Sequence, residues 1–505
     1  MSYTLGIDIG TYETKGVLVD YDGQVHASAA RAHKMLVPEP GWAEHRPEED
    51  WWGDFVFVCQ TLLKESKISP SDIKAVSCSA IGPCMLPVDV EGAPLMNGVL
   101  YGVDGRAEEQ VQALTKRIGE ATIVNRCGNA LTSQSVGPKI LWLKQQRPDI
   151  FQKTKHILTS TSFLVQRLTG EVVIDHYTAA NFAPLYDVEK QTWIDDLAND
   201  IIGLEKLPRL LWSNEIAGEI NAAAADQTGL LAGTPVTVGT IDAAAEALSV
   251  GMHDAGDMMM MYGSTIFIIL RTAERVADPR LWYAPWLFET EHASMAGLAT
   301  SGTLTHWFRD QLAKELEPDV AFEQLAREAQ SSPPGANGLL MLPYFSGERT
   351  PIHDIHAKGT LFGLNLTHDR GDIYRSLIEG IAHGTRHVTD TFAEVGQSPQ
   401  RLLAVGGGTK NELWLQATSD ITGIDQVVCE KTIGASYGDA FLAAMAIGEA
   451  KRHDMASWNP PNRVIQANHH PVYEKSHQLF RRLYEQTKDI AKELSHGNTA
   501  KSNSR

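Results

Sequence analysis

The sequence predicts an α/β protein of two large domains, and three observations carry that prediction. At 505 residues the chain exceeds the length at which a single hydrophobic core keeps growing, so it is expected to divide. Short apolar runs alternate with stretches whose apolar residues recur every three or four positions, the pattern of strands interleaved with helices. A strand, small-residue turn and strand at the N-terminus (5–9, Gly10-Thr11, 17–19) is echoed later (258–261, Gly263-Ser264-Thr265, 266–270). Two domains of related design would give this echo, and so would a chance likeness of two hairpins.

Taken in order, residues 4–9 form an apolar run ending at Gly10-Thr11, and 15–20 form a second. Asp22-Gly23 separates it from a third run beginning at Gln24, a hairpin signal. Pro47-Glu48-Glu49 places proline and acids at a helix start, and Trp52, Phe55, Val56, Cys59, Leu62 and Leu63 follow as one face of an amphipathic helix. Strands are predicted through 75–79 and 86–90, the latter turning at Glu91-Gly92. Helical periodicity dominates from Glu108 to Leu230, with a breaker at Pro148 and loops at Thr169-Gly170 and Leu207-Pro208. A final helix carries Tyr473, Phe480, Leu483, Ile490 and Leu494 on one side, and a polar tail over 496–505 is expected to fray.

With 43% hydrophobic and 21% charged residues, the composition is that of a soluble globular protein. A formal charge of -18 argues against a nucleic-acid partner, which clustered Lys and Arg would hold. No basic segment leading to an apolar core follows Met1 and no run approaches a membrane span, so the expected compartment is cytoplasmic, with no membrane partner. Five scattered cysteines without a C-x-x-C read as buried thiols, not disulfides or a zinc site.

Three segments have the makings of chemistry. In Asp8-Ile9-Gly10-Thr11-Tyr12-Glu13-Thr14-Lys15 an acid ends a strand before a Gly-Thr turn. The turn's N–H groups and hydroxyls suit an anion, Lys15 suits phosphate charge and Asp8 suits hydrated magnesium, although an ordinary hairpin with a solvated lysine has the same pattern. In Val236-Thr237-Val238-Gly239-Thr240-Ile241-Asp242 a strand yields to a small-residue helix, which places Asp242 either as a general base at a strand's carboxyl end or as a helix N-cap. Leu402 to Asn411 is a strand ending in Gly406-Gly407-Gly408, where backbone can approach a flat ligand or a phosphate. Neither the G-x-G-x-x-G nor the G-x-x-x-x-G-K-[ST] fingerprint is present.

Read together with Gly41-Trp42-Ala43-Glu44, Trp51-Trp52, Tyr344-Phe345-Ser346-Gly347-Glu348-Arg349-Thr350-Pro351 and Gly359-Thr360-Leu361-Phe362-Gly363-Leu364, the chain resembles the FGGY carbohydrate kinases from about Leu5 to about Ala446. That group includes xylulokinase, gluconate kinase and glycerol kinase, and the pattern is xylulokinase-like. The resemblance implies two ribonuclease-H-like domains of the actin and Hsp70 kind, with ATP and Mg2+ in a cleft between them. It implies residues 1–245 as the sugar-binding domain and 246–495 as the nucleotide-binding domain. By position it makes Asp242 the catalytic base, and Asp8 with Asp242 the magnesium-associated acids, acting through water. Gly10, Thr11, Thr14 and Lys15 then belong to a first phosphate loop, Gly263, Ser264 and Thr265 to a second, and Gly407, Gly408 and Asn411 to the nucleotide pocket. A homodimer is the expected assembly, because many relatives are dimers.

Where xylulokinases carry Met-His-Gly against the sugar, this chain has Ile81-Gly82-Pro83-Cys84. Where they carry Trp-Asn-Asp-x-Arg it reads Tyr101-Gly102-Val103-Asp104-Gly105-Arg106. Gly82, Pro83, Asp104 and Asp242 are therefore the expected sugar contacts, with a surface Asp104–Arg106 pair as the alternative for Asp104. The expected activity is phosphorylation of a small ketose or polyol, xylulose or another pentulose first. A sugar acid or tetritol as acceptor, or a catalytically weak sugar- and nucleotide-binding sensor, is the alternative.

Overall fold

The computed structural model describes residues 1–499, with side chains through 495, so the tail expected over 496–505 lies outside the described side chains. The chain forms two compact units. The first comprises Met1–His253, Trp282–Ala293 and Ile433–Pro460, and the second Asp254–Leu281, Ser294–Thr432 and Pro461–Arg505. This division differs from the expected boundary at 245, which falls inside the helix Asp242–Ser249. The helix Ala435–Ala446 belongs to the first unit because it packs on the strand Tyr3–Ile9. A Cβ on Gly6 would lie 2.0 Å from the Ser436 carbonyl oxygen, and one on Gly438 would lie 2.0 Å from that of Ala245. Only glycine permits either approach.

The first unit's sheet runs Ile216–Glu219, Pro235–Thr237, Ile73–Ala80, Tyr3–Ile9, Glu13–Asp20, Val25–Ala32, with Thr240–Ile241 also pairing Ile73–Ala80. Register places Asp8 opposite Lys15 on one side and beside Ser79 on the other, and Thr240 beside Ser79. Leu5, Ile7 and Ile9 are buried with Trp51 and Phe55, each such side chain contributing about 1.5–3 kcal/mol. The helix Asp54–Ser66 buries Phe55, Val58, Cys59 and Leu62 at helical spacing and ends on left-handed Lys67. Val56 and Leu63, expected on that face, lie at its half-buried margin. Pro148 opens the helix Pro148–Lys153 at its first turn, where its missing N–H costs nothing.

In the second unit Asp257–Tyr262 pairs antiparallel with Ile266–Thr272 and parallel with Arg401–Val405. Tyr3–Ile9 pairs antiparallel with Glu13–Asp20 and parallel with Ile73–Ala80, so the echo seen in the sequence is a repeat of topology. The helix Arg370–Glu394 starts in a reciprocal capping box between Asp369 and Asp372 and backs this sheet. Along Pro471–Thr499, Tyr473, Phe480 and Ala491 are buried, whereas Ile490 and Leu494 are exposed, on a face turned away from that stripe. All five cysteines are buried, and none forms a disulfide. Among the described residues no helix is long and apolar enough to cross a membrane.

Candidate active site

The parallel strands Tyr3–Ile9 and Ile73–Ala80 deliver Asp8 and Ser79 side by side. Ser79 lies within hydrogen-bond reach of two carboxylates, its hydroxyl 2.7 Å from Asp439 Oδ2 and 3.2 Å from Asp8 Oδ1, while its backbone N–H also donates to Asp439. Asp242 opens its helix; Ile241 occupies the N-cap position, and Asp242 Oδ1 accepts from the Ala243 N–H at 2.7 Å. The N-cap reading of Asp242 is therefore not what the structure shows. Glu246 follows one turn later on the same helix.

These four acids crowd one another. Burial, joined by the charges of Asp242, Asp439 and Glu246, holds Asp8 well above the usual carboxylate range. Burial pushes Asp242 up to about 7, and Glu246 likewise to about 7, with the Lys15 charge and the Ala435 N–H opposing the latter shift. Burial raises Asp439 well above its ordinary value, and its Oδ1 is buried without a hydrogen-bond partner. Such a set calls for a cation. Among the described residues no three His, Cys, Asp or Glu side chains converge as direct metal ligands.

In the first loop, Gly10 closes a turn by donating to the Glu13 carbonyl, and Lys15 is half exposed beside Glu13 at 3.2 Å. Thr14, expected at phosphate, is fully buried and its hydroxyl donates to Asp54. Strand alternation explains the difference, since Thr14 points to the face opposite Glu13 and Lys15.

Of the expected sugar contacts, Gly82 packs against Ile241, so close that an added Cβ would meet its Cγ1 at 2.8 Å. Pro83 is buried beside it, and the Ile81 carbonyl accepts from the Ser160 hydroxyl. Asp104 is neither a surface residue nor an open acceptor. It is fully buried, and its oxygens take the Ala43 N–H at 2.7 Å and the Arg106 backbone and guanidinium N–H groups at 2.8–3.1 Å. Arg106 also binds Glu44 and lies 3.9 Å from the Trp42 ring centroid. Below it buried Lys139 donates to the Leu100 and Tyr101 carbonyls, and burial pulls its ammonium down to about 8.

The second unit holds a cavity of about 710 Å³ whose lining includes Gly263, Ser264, Gly407, Gly408, Asn411 and Trp414. Thr265 stands outside that lining. Asn411 also caps the helix Glu412–Thr422 through the Trp414 N–H. The carbonyls of the turn at 263–264 are taken by Ser301, Gly302 and Thr303, all at the start of one helix. That helix start is fixed in turn by the segment 344–351. Glu348 Oε1 accepts from the Ala299 and Arg349 N–H groups, both at 2.7 Å, and Thr350 both donates to and accepts from Gly297.

The N-terminal domain profile of the FGGY family of carbohydrate kinases matches residues 3–249 and its C-terminal domain profile residues 258–447. The chain belongs to that family: it is a phosphotransferase acting on a sugar hydroxyl, with two domains of the ribonuclease-H-like, actin and Hsp70 type and ATP implied as co-substrate. It is 29% identical over 502 residues to the xylulose kinase of Bacillus subtilis (strain 168), covering 97% of this chain and 98% of that one. The crystal structure of xylulose kinase from Rhodospirillum rubrum superposes with a TM-score of 0.91 at 30% identity, over 97% of this chain and 99% of that one. A gluconokinase of Bacillus subtilis (strain 168) is 27% identical over 467 residues, 90% of each chain.

Proposed function

We propose that this chain transfers the γ-phosphoryl group of Mg-ATP to a hydroxyl of a small ketose or polyol, with D-xylulose or another pentulose as the first candidate acceptor. Asp242 carries the proposal. Its carboxyl is held near 7, one oxygen takes the Ala243 N–H, and it stands at the carboxyl end of a strand. A base of that strength accepts the hydroxyl proton as the new O–P bond forms, while the bond between the γ-phosphorus and the bridging oxygen breaks and ADP leaves.

The remaining residues position and stabilise. Bound magnesium supplies charge neutralisation of the phosphates, and Asp8 and Asp242, with the partnerless oxygen of Asp439, suit its water shell. Lys15 and the turn at Gly10 and Thr11 are assigned to phosphate, and Gly263, Ser264, Gly407, Gly408 and Asn411 to the nucleotide, whose size the cavity suits. Ile81, Gly82, Pro83 and Tyr101 are assigned to the acceptor, with Asp104 holding that wall through Arg106 and Ala43. Because the Arg106 charge is already met by Asp104 and Glu44, the wall favours a neutral acceptor over a sugar acid.

The test is ADP release from Mg-ATP against ketopentoses, tetritols, hexitols and aldonic acids, each compared with a blank lacking acceptor. One strongly accelerated neutral acceptor supports the proposal. A panel in which only an aldonic acid is turned over would overturn the substrate assignment.

A further inference from the structure

Two histidines that the kinase chemistry does not use lie beneath the first phosphate loop. His33 Nδ1 is 2.8 Å from Asp54 Oδ2 and its Nε2 is 3.0 Å from the Gly10 carbonyl. His45 Nε2 is 3.1 Å from the Thr11 carbonyl and its Nδ1 is 3.1 Å from Trp51 Nε1. The rings meet edge to face, centroids 4.9 Å apart. The His33 and Asp54 side chains are 3% and 2% exposed, so water cannot replace these bonds.

The partners fix the protons. An indole nitrogen only donates, so His45 Nδ1 accepts from Trp51, its single proton sits on Nε2, and that N–H donates to the Thr11 carbonyl. His45 is neutral, and burial followed by the His33 charge pushes it down to about 4. For His33 both partners, a carboxylate and a carbonyl, only accept, so both bonds exist only when both ring nitrogens carry protons.

We propose that His33 is an imidazolium clamp, a positioning residue that fixes the Gly10–Thr11 turn only while doubly protonated. Arg31 at 3.0 Å from Asp54 and Thr14 at 3.1 Å share its counter-ion; neutral His45 packs on its ring, and Asp50 adds a more distant negative charge. Burial works against the charge, but the Asp54 bond and charge, the Gly10 carbonyl and Asp50 outweigh it and raise His33 above its ordinary value. The imidazolium is thus kept below that raised value and lost as pH climbs through it, releasing either Gly10 or Asp54. The consequence for turnover rests on the kinase reading; the charge state does not.

The experiment is a pH titration of the full chain, uniformly labelled with 15N in histidine, observed through ring nitrogen shifts and paired with the pH profile of kcat/KM for Mg-ATP. The expected result is two protonated nitrogens at His33 at neutral pH, deprotonating above the ~6.5 of a free histidine, with an alkaline fall in kcat/KM at the same pH. His33→Gln should erase the signal and the alkaline limb and raise KM for ATP roughly tenfold, with kcat little changed. Asp54→Asn, which keeps the shape, should move both the His33 titration and the limb to lower pH. A His33 that is neutral at neutral pH, or an alkaline limb unaltered in both variants, overturns the proposal. A chain that turns over no acceptor would refute the kinase reading while the ring shifts still decide the charge.

Discussion

Asp242 and Glu246 lie one helical turn apart on the same helix, and burial holds both carboxyls near 7. Each makes ionisation of the other harder, since the Glu246 charge is among the causes raising Asp242. A base and a titrating neighbour thus share the helix start.

The acid side of the activity profile follows from this. Asp242 is protonated below about 7 and cannot accept a proton there, so acceptor-dependent kcat/KM should rise as pH passes through that value. A profile flat from about pH 5.5 to 8.5 would contradict a base with the raised carboxyl described for Asp242.

Stability should depend on Glu246 with the opposite sense. A carboxyl raised in the fold from its ordinary 4.5 to about 7 opposes folding by an amount that builds as pH climbs between those two values and stays constant above them. Glu246→Gln should therefore raise Tm at about pH 8.5 and leave it nearly unchanged at about pH 5, read by differential scanning calorimetry. Added magnesium should shrink that gain in stability.

Glu348 should matter for the nucleotide although it lies behind the turn at 263–264 and not against the cavity. Glu348→Leu leaves the Ala299 and Arg349 N–H groups without an acceptor, at about 1–3 kcal/mol each. ADP affinity should fall roughly tenfold or more in calorimetry, since about 1.4 kcal/mol is a factor of ten. Glu348→Gln keeps the acceptor oxygen and should stay within about twofold of the parent, whereas equal losses would show the carboxyl charge to be what matters.

The N-terminal hairpin was legible because period-two patterning and the Asp22-Gly23 turn are local signals. Asp8 and Asp242 were legible as acids at strand ends next to small residues. Asp439 was not, because its partner Ser79 is 360 positions away and nothing between them announces the contact. Glu246 was hidden in a run of alanines that reads as packing. The inward turn of Thr14 was there to be read, since alternation along the strand sets it opposite Glu13 and Lys15. The discontinuous first unit escaped detection because the close approach of Gly6 to Ser436 is a tertiary fact.

The most direct test of the central claim is acceptor-dependent ADP release by Asp242→Asn beside the parent chain, with ADP binding measured in both. The expected result is a loss in kcat of roughly 10²–10⁴ with nucleotide affinity essentially unchanged. Turnover retained in the variant would contradict it and move the proton to another group.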